Sequence, residues 1–132
     1  MKLNALLVAI LGAGFFLIGM PLMAHHSFMV EYDMSKPVLI KGVVSKVVYE
    51  NPHITFYIDV KDAAGRIKNW GFEAASPSAL RARGWNRDTV VPGDYVTVDA
   101  FRSRNGTAFA AAKMLTLPDG RQFFAASDGV PR

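Results

Sequence analysis

Two apolar patterns divide this chain. From Leu3 to Leu22 the residues are apolar almost without interruption, behind the single basic residue Lys2, and Ala24 closes the run. A short basic start, a hydrophobic middle and a small residue at the cut form a secretory leader. The pattern predicts cleavage after Ala24, a leader over 1–24 and one domain over 25–132. A run of this length also suffices to cross a bilayer. A retained leader would therefore anchor the protein, whereas cleavage leaves no stable membrane span.

Beyond the leader the period changes to two. Ile54, Phe56, Ile58 and Val60 alternate with His53, Thr55, Tyr57, Asp59 and Lys61, the signature of a half-buried strand. Before it, Phe28 to Pro37 reads as a lead-in arm. Val38 to Glu50 reads as a long strand bent near Gly42, and Asn51-Pro52 as a turn. After it, Gly65 marks a hairpin, and Ile67 to Ala74 returns with Trp70, Phe72 and Ala74 on one face. Ser76-Pro77 has the chemistry of a helix start and Gly84 of its end, with Leu80 as the anchor. Tyr95 to Arg102 and Ala108 to Leu117 flank the hairpin signal Asn105-Gly106. Arg121 to Ala125 adds an edge strand, and the residues after it read as loose.

The pattern therefore predicts an all-β domain with one short helix. A small, partly closed OB-like barrel with its helix between strands three and four accommodates these elements and leaves few exposed edges. A two-sheet β-sandwich is the alternative.

Composition removes some chemistry. The chain has no cysteine, which excludes thiolate metal sites and thiol redox steps. The formal net charge is +4, with signs interspersed. Arg81, Arg83 and Arg87 form a local cluster, and Arg102, Arg104 and Arg121 are candidates for a second. Export to the periplasm makes nucleic acid an unexpected partner and anionic envelope material a better match for such charge. The partners expected are a metal ion or an envelope component, with no nucleic acid.

The three histidines are His25, His26 and His53. Cleavage after Ala24 gives His25 a free α-amine, which deprotonates more readily than a lysine. With its own imidazole, that amine forms a chelate, and His26 or His53 can add another nitrogen. Nitrogen donors of this kind suit Cu(II), with zinc second. Tyr49, Glu50, Asn51, Tyr57 and Glu73 are candidates for a surrounding polar shell, and Met29, Met34 and Met114 for soft donors to Cu(I). The plain alternatives are a polar mature terminus for His25 and His26, and a bond to a backbone carbonyl for His53.

No nucleophilic serine motif, phosphate-binding glycine loop or paired carboxylates at a recognisable spacing points to an enzyme. Ser27 beside His26 is adjacency, not a triad. The rival to metal binding is a non-enzymatic module that contacts a polysaccharide, an envelope component or a partner protein. Trp70, Trp85, Phe101 and Phe109 would supply its contact area, provided they are exposed.

The ordered set Ala24-His25-His26-Ser27-Phe28, Asn51-Pro52-His53 and Ser76-Pro77 through Gly84-Trp85 resembles a family of small exported bacterial proteins of uncharacterised function. The resemblance implies a single β-rich domain behind a signal peptide. It brings no established catalytic residues with it.

Overall fold

The computed structural model describes residues 24–130, with side chains from residue 28 onward. Residues 1–23 of the expected leader lie outside the described residues. The elements, in chain order, are α1 (Ala24–Glu31), β1 (Tyr32–Val48), β2 (Thr55–Lys61), β3 (Ile67–Glu73), α2 (Pro77–Ala82), β4 (Tyr95–Ser103), β5 (Phe109–Thr116) and β6 (Gln122–Phe124). The fold is mostly β, with a short helix between β3 and β4, and its strand arrangement is distantly OB-like.

All six strands belong to one sheet of order β3-β2-β1-β4-β5-β6, and β3 also pairs with β5 in parallel through Gly71–Phe109, Phe72–Ala110 and Glu73–Ala111. The sheet therefore returns on itself through five strands, with β6 outside the ring. One sheet accounts for every strand, so no second sheet of a sandwich is present among the described residues.

The ring depends on β1, whose 17 residues serve two partners. From Pro37 to Val43 it pairs with β4, and from Val43 to Val48 with β2, with an irregularity between Val44 and Lys46. A strand that changes partner along its length has to coil, and a bulge supplies the extra twist. Gly42 lies just before that point. A Cβ there would sit 2.3 Å from the Asp59 carbonyl oxygen, so only glycine lets β2 approach this closely.

The alternation read from the sequence positions the core. Ile54, Phe56, Ile58, Phe72 and Leu80 are fully buried, together with Val96, Val98 and Leu115. The Phe56 and Phe72 rings stack at 5.3 Å. Ser76 caps α2, its hydroxyl accepting from the Ala79 amide at 3.3 Å, with Pro77 in the first turn. Gly84 closes the segment with φ of 91°, a conformation costly for other residues.

Two expectations need correction. Phe28 to Pro37 is not an arm: it comprises the end of α1 and the first residues of β1. The helix has a sequence of modest propensity and depends on tertiary contacts. Phe28 packs on Tyr32 with rings 4.9 Å apart. The Arg104 amide donates to the Glu31 carbonyl at 2.9 Å and its Nε to the Met29 carbonyl at 3.1 Å, so a cation meets the carbonyl end of the helix. The chain after β6 is not loose either. Ala126 and Val130 join Phe28, Tyr32, Phe101 and Ala111 in a second hydrophobic cluster, on the face of β4 and β5 opposite the main core.

Replacing Gly42 with alanine should lower the free energy of unfolding by about 1–3 kcal/mol, the cost of overpacking. Urea denaturation measures it, and an unchanged midpoint would show that β2 can move away freely.

Candidate functional site

The outward register of β2 and β3 carries the polar side chains. Phe56 and Ile58 face the core, so Thr55, Tyr57 and Asp59 face out. Trp70 and Phe72 face the core, so Asn69, Gly71 and Glu73 face out. Pairing places Lys46, Tyr57, Gly71 and Phe109 in one row across four strands. The Lys46 ammonium lies 5.9 Å from the centre of the Tyr57 ring. Gly71 is the floor of this row: a Cβ there would stand 2.5 Å from Phe109 Cδ2 and 3.1 Å from Tyr57 Cε1. Both rings are half-buried and lean over the bare glycine.

Carboxylates flank the row on both sides. On one side, Asn69 Nδ2 donates to Asp59 Oδ1 at 2.7 Å and to the Ser45 hydroxyl at 3.0 Å. On the other, Glu73 receives the Tyr32 hydroxyl on Oε2 at 2.9 Å and faces His53 Nδ1 with Oε1 at 3.6 Å. Tyr32 is fully buried. Burial first, and the adjacent Glu73 charge second, push its hydroxyl well above the ordinary phenol range. It therefore stays a neutral donor, which ties the start of β1 to the end of β3.

His53 lies off the apolar face, as the alternation predicts, and one expected neighbour, Glu73, stands beside it. Its Nδ1 is 3.1 Å from the Ala74 carbonyl oxygen. A carbonyl only accepts, so Nδ1 carries a proton, and in the neutral form of the ring the lone pair is on Nε2. This is the carbonyl bond given above as the plain alternative for His53. The same bond orients a ring that can act as a ligand. His25 and His26 fall in α1, but their side chains lie outside the described residues. Among the described residues no group of three or more histidine or acidic side chains is placed to hold a metal ion.

Five of the arginines expected to form two patches take individual partners. Arg83 donates to the Ala126 carbonyl and lies over Phe124, and Arg87 lies over Tyr49. Arg104 holds α1, Arg121 pairs with Asp119, and Arg102 lies over Trp70. The expected aromatics do not form an exposed row. Trp70, Trp85 and Phe101 are buried, and Trp85 Nε1 donates to the Phe124 carbonyl at 3.2 Å. Phe109 is half-buried and packs partly on the second hydrophobic cluster, and across Gly71 from it stands Tyr57, which sequence reasoning assigned only to a polar shell around His53. The outward alternation of β2 already marked Tyr57; its pairing across Gly71 could not be read without the register.

Tyr32→Phe removes one buried hydrogen bond to a carboxylate and leaves Glu73 to water. The expected cost is about 1–2 kcal/mol, read by urea unfolding, with faster amide exchange over 28–34. Unchanged exchange there would show that Phe28 packing alone holds the segment.

No curated protein matches the chain. Among solved structures, the crystal structure of the mitochondrial single-stranded DNA binding protein Rim1 from S. cerevisiae is similar, with a TM-score of 0.48 and 13% identity over 63% of this chain and 93% of that one. The expectation of no nucleic-acid partner rested on export alone and is corrected by this likeness to a protein whose title gives it single-stranded DNA binding. Residues 15–112 match the model of a family of unknown function, DUF6152, and the chain belongs to that family.

Proposed function

We propose that residues 25–132, released by cleavage after Ala24, form a non-enzymatic binding module in the periplasm. The ring of strands is a small OB-like barrel, and its outer face takes an envelope oligosaccharide. The row of Lys46, Tyr57, Gly71 and Phe109, flanked by Asp59 and Glu73, is the observation that carries this reading. Barrels of this class use the face of strands two and three for extended polymers. Half-exposed rings over a glycine floor provide flat apolar area at low entropic cost. Carboxylate, amide and imidazole groups beside them suit the hydroxyls of a sugar. Lys46 is exposed above Tyr57, and its displacement by a ligand uncovers the ring.

Calorimetric titration of the natively exported protein with neutral and acidic oligosaccharides tests this, with single-stranded oligonucleotides as a further arm. Tyr57→Ala should weaken glycan binding roughly tenfold, equivalent to about 1.4 kcal/mol. Absence of glycan binding, or equal binding by Tyr57→Ala, would refute the assignment. Preference for the oligonucleotide would give the face to the other polymer.

The histidines carry a second proposal, one Cu(II) bound through His25, His26 and His53. The backbone of α1 begins at Ala24, so cleavage places the new amine at a helix N-terminus. The helix dipole there disfavours the ammonium form and disfavours Cu(II) as well, so binding rests on the chelate itself. His53 offers Nε2 as a lone pair. Anaerobic titration should show one nitrogen-ligated equivalent whose electron spin resonance spectrum changes in His53→Ala. An unchanged spectrum would confine binding to the terminal peptide, and competition by buffer alone would dismiss it.

A further inference from the structure

At the end of the ring near the β4–β5 turn, two cations share one indole. Lys68 occupies the same inward-facing register as Trp70 and Phe72 but lies beyond the core, and its ammonium is 5.3 Å from the Trp70 ring centre. Arg102 occupies the inward register of β4, opposite Ala110, and its guanidinium carbon is 5.6 Å from the same ring. Trp70 itself is 7% exposed, so these two side chains help to cover it. Cation–π contact accounts for each of them singly. It does not account for two like charges on one ring with no carboxylate.

Among the described residues neither Lys68 nor Arg102 takes part in an ion pair, whereas Arg66, Arg104 and Arg121 each have an aspartate. The Arg102 guanidinium is also poorly served by hydrogen bonds. Its Nη2 reaches the Gly106 carbonyl only at 3.4 Å, and its Nε is buried without a partner. A buried cationic N–H without an acceptor is costly, and such groups call for a specific explanation.

We infer that Lys68 and Arg102, at the Trp70 end of the ring, form a binding site for a compact oxyanion, a carboxylate or phosphate group. An oxyanion supplies the missing acceptors and neutralises the like charges, and arginine presents a planar fork for it. The long contact to Gly106 is the restraint that it displaces. The site is separate from the Tyr57–Phe109 row and stands without the glycan assignment, although an acidic sugar would bring the same group.

The test is nitrogen-15 NMR of the natively exported protein, with the Arg102 Nε–H signal identified by its loss in Arg102→Gln. Sodium glucuronate, phosphate and chloride are titrated separately at fixed ionic strength, because screening alone shifts exposed charges. Glucuronate or phosphate should move the Arg102 Nε–H and Trp70 indole signals in a saturable manner, and chloride should not. Lys68→Gln, a change at an exposed position, should weaken the response roughly tenfold while leaving the rest of the spectrum intact. Tighter glucuronate assigns the oxyanion to an acidic sugar, and tighter phosphate to a phosphorylated ligand. Shifts no larger than those with chloride, or an undiminished response in Lys68→Gln, would overturn the site.

Discussion

The bend of β1 is the constraint from which the rest of this fold follows. Its first half must bond to β4 and its second to β2, and no straight strand can satisfy both. Gly42 removes the side chain that would strike the Asp59 carbonyl, and the irregularity after Val44 adds twist. Once β1 coils, β2 and β3 are brought round to meet β5, and the parallel bonds between Gly71 and Glu73 on one side and Phe109 and Ala111 on the other join the ends. The main core fills the inside of that ring, and the outward residues of β2, β3 and β5 become one continuous face.

That face carries the candidate site, and it is held from below as well as from the side. Gly71 gives room for two rings, and Glu73 is held by the buried Tyr32 hydroxyl. Tyr32 follows α1 directly, so that helix is fastened to the candidate site. The second hydrophobic cluster reinforces this from the other end of the chain, because Ala126 and Val130 pack against Phe28 and Tyr32. The two ends of the domain thus depend on each other through one apolar patch outside the ring.

Charge is distributed by contact rather than by sequence neighbourhood. Arg81, Arg83 and Arg87 are close in the chain, yet Arg83 and Arg87 turn to different rings. Lys68 and Arg102 are distant in the chain, yet both lie against the Trp70 ring. The former pair lies at the end of α2 and in the loop after it, and the latter comes to one ring because β3 and β4 both pair with β5.

Period-two alternation made β2, β3 and β4 legible, because burying one face of a strand requires apolar residues at every second position. Local chemistry at Ser76-Pro77 and Gly84 likewise marked α2, since caps act within one turn. The same alternation put His53 off the core and Trp70 in it. Neither α1 nor the packed tail was legible: both are held by distant partners, Arg104 for the helix and the Phe28–Tyr32 cluster for the tail. The Tyr57–Gly71–Phe109 row and the Lys68–Arg102 pair were equally hidden. Each joins strands whose register is set by hydrogen bonds across the sheet, and a linear chain carries no record of which residues those bonds will bring side by side.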